Sequence, residues 1–447
     1  MSTTFPMRVK PVDLGHLEGR QEAVRIKMGP FAEGDSTAMV KTFLNYPEFS
    51  RSLGRLTTRV SLTSDLPPRL ARLAALRAAW LCDSEYLWAH LREDAALNDH
   101  LLDAVARAGT SDAPSDATTG PTTGAASGPT TGGASGGATG GASGGTSGPT
   151  TGGASGGTSG PASGGASERL TGIERHAIEA IDELHHTHHL SDEKWYRIDR
   201  LGPNALLDLM STYAVVVTLA AAGNSMGVQL EDGLTGWDRE HVIPDTTKAA
   251  PRTLLKRVFE ADYADLSPEQ IEQTNRMGRR GKPTTSKLQK AMINYPAFGR
   301  SMSSFGKRAI DDTSLPTRVW QLACMRTVWL CDSEYLWSQH RKACLKIGVT
   351  DQDLLGVAEG PASPNLRGFD RTIVSAVDDL YYNNRLSDEN WDKFDEFGSE
   401  GVTDLILVYG LYVLQSCVAR NFGTTLEDGS LGYLPELDAF RSLQHVR

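Results

Sequence analysis

A nonapeptide that occurs twice constrains this chain more than any other feature. Trp80-Leu-Cys-Asp-Ser-Glu-Tyr-Leu-Trp88 recurs unchanged as Trp329 to Trp337, an offset of 249 residues (329 less 80). Asn45-Tyr-Pro47 returns as Asn294-Tyr-Pro296, and Leu66-Pro67 as Leu315-Pro316, at the same offset. Leu190-Ser-Asp-Glu193 matches Leu386-Ser-Asp-Glu389, and Leu230-Glu-Asp-Gly233 matches Leu426-Glu-Asp-Gly429, at an offset of 196 (386 less 190). A chain with self-similarity on this scale is built from repeated structural units, so its 447 residues are read as two copies of one domain.

The two offsets differ by 53 (249 less 196), so copy 1 carries an insertion of about that length. It coincides with the Gly/Ser/Thr/Ala stretch at about 110–166, whose composition offers too little apolar surface to order itself. Although it looks like an interdomain linker, its position interrupts copy 1 at a loop that copy 2 closes with Glu359-Gly-Pro-Ala-Ser-Pro364. Copy 1 therefore spans 8–237, copy 2 spans 251–437, and the junction lies near Trp237 to Pro251.

The 45 Lys and Arg against 55 Asp and Glu, net charge −10, supply no basic footprint for nucleic acid or an anionic membrane. No uninterrupted apolar run reaches the roughly 18 residues of a membrane span. The first ten residues lack an apolar core of the secretory kind. Five cysteines without framework spacing fit a reducing compartment, and the expectation is a cytoplasmic protein.

The patterning predicts helices and no alternating strands. Leu66 to Glu93 has apolar residues at three-to-four spacing, opens on Pro67-Pro68 and has no internal Gly or Pro, so one helix is expected there and over Leu315 to about Leu345. Further helices are expected from about Glu168 to His185 and from Leu366 to Tyr381, and after the caps Ser191 and Ser387. Largely apolar central helices follow over Ala205 to Ser225 and Val402 to Asn421, stopping at Gly227 and Gly423. The fold class expected is all-α.

The order Leu-Pro-Pro-Arg, Leu-Arg-Ala-Ala-Trp-Leu-Cys-Asp-Ser-Glu-Tyr-Leu-Trp-Ala-His, Asp-Glu-Leu-His, Leu-Ser-Asp, Leu-Glu-Asp-Gly resembles the carboxymuconolactone decarboxylase and AhpD-like superfamily over nearly all of both copies. The resemblance implies two tandem AhpD-like helical domains forming a covalent pseudo-dimer, able to assemble into a further homo-oligomer, with sites near the subunit contacts. In the family's peroxidase branch a helix bears Cys-x-x-Cys-x-x-x-His with a Glu twelve residues before the first Cys. Copy 2 has Ser333, Leu336 and His340 at the motif positions and Gln321 at the Glu position; copy 1 has Ser84, Leu87, Leu91 and Arg72. Both thiols are missing, which argues against a disulfide-cycling peroxidase. On a continuous helix Cys331 lies 180° from His340, so it is read as a small buried hydrophobe.

What the resemblance implies is a site in copy 2 with His340, Ser333, Glu334 and Tyr335 as catalytic residues. Trp337, Leu336, Gln321 and Arg326, with Glu85, Tyr86, Trp88 and His90 of copy 1, are implied on the substrate side. His340 is the residue suited to acid–base work near neutrality. His90 aligns with Gln339, so the copies are chemically unequal. The Glu and Tyr positions can serve as base and oxyanion donor or can brace the contact between copies, and Arg77 and Arg326 can pair with that Glu or hold a substrate carboxylate. His185, His186, His188 and His189 include a zinc-like spacing, but copy 2 has Tyr381, Tyr382, Asn384 and Arg385 there, so a polar helix end is expected and no metal. No cofactor is expected. The expected function is a cofactor-independent lyase, isomerase or cyclase acting on a small, partly apolar molecule of polyketide-like or terpenoid metabolism; the alternatives are a non-catalytic binding descendant and residual thiol chemistry.

If the insertion only lengthens a surface loop, replacing residues 112–166 with the short copy-2 loop leaves the protein folded and raises its stability by at most about 2 kcal/mol, since closure entropy grows with the logarithm of loop length. Urea unfolding of the two forms measures this.

Overall fold

In the computed structural model the described residues are 5–28, 37–95, 97–110, 169–237, 240–243, 253–277, 286–398 and 400–444. The low-complexity insertion and most of the junction between the copies lie outside them. The first half carries α1 (Gly19–Met28), α2 (Ala38–Phe43), α3 (Pro47–Leu62), α4 (Pro68–Leu81), α5 (Glu85–Ala95), α6 (Asp99–Ala106), α7 (Gly172–Thr187), α8 (Asp192–Asp199) and α9 (Ala205–Met226). The second repeats that order with α10 (Pro268–Met277), α11 (Lys287–Met292), α12 (Pro296–Ile310), α13 (Thr317–Leu330), α14 (Glu334–Lys346), α15 (Asp351–Glu359), α16 (Phe369–Asn383), α17 (Asp388–Asp395) and α18 (Gly401–Phe422), followed by α19 (Leu437–Gln444). Among the described residues there is no strand, and the protein is all-α.

Local chemistry sets the helix ends. Pro47 and Pro296 occupy the first turns of α3 and α12, where a missing N–H costs nothing. Thr171 and Glu174 form a capping box at α7, and Thr350 and Asp353 another at α15. α9 and α18 end on left-handed Gly227 (φ 68°) and Gly423 (φ 64°). Here glycine is required twice over, because a Cβ would lie 2.0 Å from Pro6 O and 1.9 Å from Leu255 O respectively.

The expected single helix over Leu66 to Glu93 is instead two, and so is that over Leu315 to Leu345. Asp83 and Asp332 each take φ 48°, a left-handed corner between α4 and α5 and between α13 and α14. Aspartate tolerates this conformation better than most residues, and the turn allows both halves of an apolar run to bury inward. Cys331 therefore ends α13 while His340 sits on α14, and the helical-wheel angle between them has no meaning. α6 and α15 lie beyond the helices expected from the sequence. The boundary expected at 437 falls at the start of α19, whose Arg441 reaches back to Asp332 (2.8 Å).

α9 and α18 are long and apolar enough to span a membrane by length and composition, which a search for uninterrupted apolar runs overlooks because isolated polar residues such as Asp208 and Asp404 break the run. Each is 94% buried within the protein. They pack against one another, and α3 packs against α12. Gly410 marks the closest point, since a Cβ there would stand 2.0 Å from Thr218 Oγ1. The contacts between halves come in matched pairs. Arg8 donates to Leu386 O (3.1 Å) and to Asp388, and Arg257 donates to Leu190 O (2.9 Å) and to Asp192. Ser225 Oγ accepts from Leu386 N (2.9 Å), as Asn421 Oδ1 does from Leu190 N (2.7 Å).

Gly410→Val forces a branched side chain into the α9–α18 crossing and is expected to destabilise the protein by about 1–3 kcal/mol, read from denaturant midpoints. Combining it with Thr218→Ala restores part of that loss.

Candidate functional site

The repeated nonapeptide folds into the corner between α4 and α5 and its counterpart between α13 and α14. Its two tryptophans fold back on one another, with Trp80 and Trp88 at 4.8 Å and Trp329 and Trp337 at 5.6 Å between ring centroids. The segment after the long helix closes over them, Trp237 contacting Trp80 and Trp88, and Tyr433 contacting Trp329 and Trp337. Glu85 Oε1 accepts from Trp237 N (2.8 Å) and Glu334 Oε1 from Tyr433 N (3.3 Å). Gly236 and Gly432 precede those residues, and a Cβ would meet the glutamate oxygens at 1.9 and 2.6 Å. Glu85 with Trp88 in the first half, and Glu334 with Trp337 in the second, thus stand where the returning segment of each half crosses its own corner.

Tyr86 and Tyr335 meet the Leu-Glu-Asp-Gly segments. Tyr86 donates to Glu231 Oε1 (2.9 Å) and accepts from Met39 N (3.1 Å), while Tyr335 donates to Glu427 Oε1 (2.7 Å) and accepts from Leu288 N (3.2 Å). Each glutamate also takes a backbone N–H at the start of α2 or α11, from Ala38 (2.5 Å) and Lys287 (2.7 Å). Negative charge at a helix start is favourable, and these bonds satisfy otherwise unpaired donors. Burial raises both tyrosine pKa values well above the ordinary one. His90 Nε2 lies 2.8 Å from Glu231 Oε2, with the pair about one-third exposed, and its ring lies against Tyr86 at 4.5 Å. Glu231 and Glu427 are functional-looking residues that sequence reasoning passed over. Their signal was the recurrence of Leu-Glu-Asp-Gly, which set an offset and entered the family resemblance without its glutamate being given a role.

His340 occupies a different setting. Its Nδ1 is 3.2 Å from Gln321 Oε1, an oxygen that also accepts from Cys344 Sγ (3.7 Å), and its ring packs edge-on to Trp320 (5.6 Å) and Tyr412 (4.9 Å). With the amide oxygen as acceptor, the hydrogen sits on Nδ1 and the Nε2 lone pair is the basic one. The offset places Ala71, Arg72 and Leu91 where the second half has Trp320, Gln321 and His340, so this arrangement is built once. Ser333 is buried and its hydroxyl has no hydrogen-bond partner, so it is not joined to His340; Leu336 is buried nearby on the same helix.

Arg326 is buried and spends its donors internally, on Asp378 (2.6 and 2.9 Å) and on the carbonyls of Val357 and Ala358 at the end of α15. Arg77 does the same with Asp182, Val105, Ala106 and Ala108. Neither arginine meets Glu85 or Glu334 through these bonds. All five cysteines are buried and reduced, and burial pushes the Cys331 and Cys344 thiols up to about 12, against thiolate formation.

The histidines after Leu184 end α7, as expected, but the end is an interior one. His188 is left-handed (φ 54°), 2% exposed, and stacks on Tyr381 at 5.9 Å. Its counterpart Asn384 has φ 50°. Burial first, and the charge of Arg420 next, lower the His188 pKa to about 3; His189 falls to about 3 through burial and Arg257. Among the described residues no group of three or more His, Cys, Asp or Glu is placed to hold a metal ion. No protein-family model, no curated protein and no solved structure matches this chain.

A histidine with pKa about 3 when folded and an ordinary value of 6.5 when unfolded contributes no pH dependence above 6.5. Below that the unfolded chain takes up the proton first, so stability falls as pH drops from 6.5 towards 3. At pH 5 the loss from His188 amounts to about 2 kcal/mol. His188→Asn, which suits the left-handed position, is expected to remove that part of the slope in urea titrations at pH 7 and 5.

Proposed function

We propose that this chain is a fused, two-copy relative of the carboxymuconolactone decarboxylase and AhpD-like proteins, forming an intramolecular pseudo-dimer in the cytoplasm. It acts as a cofactor-independent lyase, isomerase or cyclase on a small, partly apolar organic molecule. The paired contacts of Arg8 with Arg257, and of Ser225 with Asn421, support the pseudo-dimer, because a two-fold interface repeats each contact with the roles exchanged. The observation that carries the chemistry is His340: Gln321 Oε1 at Nδ1 sets the tautomer in which Nε2 is the basic nitrogen, and Trp320 and Tyr412 pack edge-on around the ring. Imidazole titrates near neutrality, and a base so oriented can remove a proton next to a carbonyl and return it elsewhere, as isomerisation and decarboxylation both require. Thiol chemistry is disfavoured by the burial of all five cysteines.

A second reading, a binding protein descended from such an enzyme, is favoured by Ser333. Its hydroxyl occupies a motif position yet has no partner and is buried beneath the corner.

Metabolite profiling of a strain lacking the gene, complemented with wild type, His340→Ala or Ser333→Ala, separates the two. For the enzyme, His340→Ala leaves the same intermediate accumulated as the deletion does, since loss of a general base lowers turnover by about 10²–10⁴-fold. If both variants restore the wild-type profile, the assignment of this site fails.

A further inference from the structure

The two corner aspartates have come to face different partners. Asp332 is locked: Arg420 Nη1 donates to Oδ2 (2.8 Å), and Arg441 donates to Oδ1 through Nη2 (2.8 Å) and Nε (3.1 Å). In the first half the residue matching Arg420 is Asn224, and its amide goes to the carbonyls of Cys82, Asp83 and Asn384. The Asp83 carboxylate is left with His241, whose Nδ1 lies 3.3 Å from Oδ1. That histidine stacks on Trp237 (4.2 Å between centroids) and places Nε2 2.8 Å from Trp80 O.

The hydrogen-bond pattern fixes where protons sit. A carbonyl oxygen only accepts, so Nε2 carries the hydrogen, and a neutral His241 then has none on Nδ1. The approach of Nδ1 to Asp83 is a contact of charge rather than a hydrogen bond, because Oδ1 is buried without a hydrogen-bond partner. Burial, assisted by the charge of Glu85, raises the Asp83 pKa while His241 works against that rise.

Asp83 borders a cavity of about 440 Å³ between the two halves of the chain. Asp83, Phe5 and Ile243 come from the first half, and the turn after α16 supplies Tyr382, Asn383 and Arg385. Arg385 lays its guanidinium on the Phe5 ring at 4.5 Å and makes no ion pair among the described residues. Asp379, also in the wall, is already occupied by Ser387 N (2.8 Å) and Asn390 Nδ2 (2.7 Å). By the repeat offsets, Phe5 and Arg385 correspond to Leu254 and His189, so the arginine on an aromatic shelf is built on one side of the molecule alone.

We propose that this cleft binds a small planar carboxylic acid. Its carboxylate takes the guanidinium of Arg385, its ring or conjugated body lies along Phe5 and Tyr382, and a hydroxyl at its far end donates to the Asp83 carboxylate. Guanidinium matches a carboxylate in a two-pronged bond, a stacked guanidinium keeps its edge donors available, and the volume suits a molecule of one or two rings. The site shares no residue with the His340 setting and stands whether or not that reading holds.

Calorimetric titration of the full chain with 4-hydroxybenzoate tests it, with 4-hydroxybenzyl alcohol as the probe that lacks a carboxylate. Saturable binding of one 4-hydroxybenzoate is expected, at least tenfold weaker in Arg385→Met, intermediate in Arg385→Lys, and undetectable for the alcohol. Asp83→Asn keeps the left-handed corner and is expected to weaken 4-hydroxybenzoate binding severalfold by removing the charged acceptor of its hydroxyl, while leaving the affinity for benzoate unchanged. Equal affinity in wild type and Arg385→Met overturns the proposal, as does no saturable binding of 4-hydroxybenzoate to wild type at millimolar concentration. If Arg385→Met does not fold, the Arg385→Lys affinity decides, equality with wild type counting against the site.

Discussion

Everything else in this fold is arranged around two helices that have no face to offer to water. α9 and α18 are buried along almost their whole length, without the polar stripe that an ordinary surface helix keeps. Such a helix is stable only inside a shell, and each lies against the other with the remaining helices of its own half around it. The polar exceptions are instructive. Asp208 and Asp404, both fully buried near the helix starts, are each held by an arginine of α3 or α12 at 2.7–2.8 Å and by a backbone N–H at 2.6 Å. Buried charge is tolerable only when paired and hydrogen-bonded in this way, so these carboxylates tie the central pair to the helices that cross between halves.

Much of this architecture was legible in the residues. Continuous apolar content and glycines at the helix ends located the long central helices within a residue or two, because burial of a continuous apolar surface leaves a pattern that needs no partner to be recognised. The corner at Asp83 and Asp332 was not legible. Neither residue is a strong breaker by itself, and the apolar spacing runs on across it; what bends the chain is the tertiary gain from folding Trp80 onto Trp88 and Trp329 onto Trp337. Local propensity was overridden by packing.

For the candidate site the division falls differently. The family resemblance pointed to His340, and the structure supplies what motif alignment could not: a hydrogen-bond partner in Gln321 that sets its tautomer. The glutamates after the corner read equally well as bases or braces, and only their distance to the backbone N–H of Trp237 and Tyr433 shows them anchoring the returning segment. Arg326 looked available for a substrate because a sequence does not show that Asp378 and two helix-terminal carbonyls already surround it. Long-range partners, 52 residues away for that ion pair, leave no periodic trace.

The unlike corners carry an evolutionary consequence. In an assembly of identical subunits any substitution is installed in every copy at once, so a change that frees one carboxylate also loosens its twin. Two halves within a single chain, each with its own residues at matching positions, are free of that restraint. Asp332 keeps its two arginines and the rigidity they confer, while Asn224 in place of the first of them releases Asp83 without weakening the opposite corner. Two halves that share a corner but not its partners can thus differ in rigidity at matching positions of one fold.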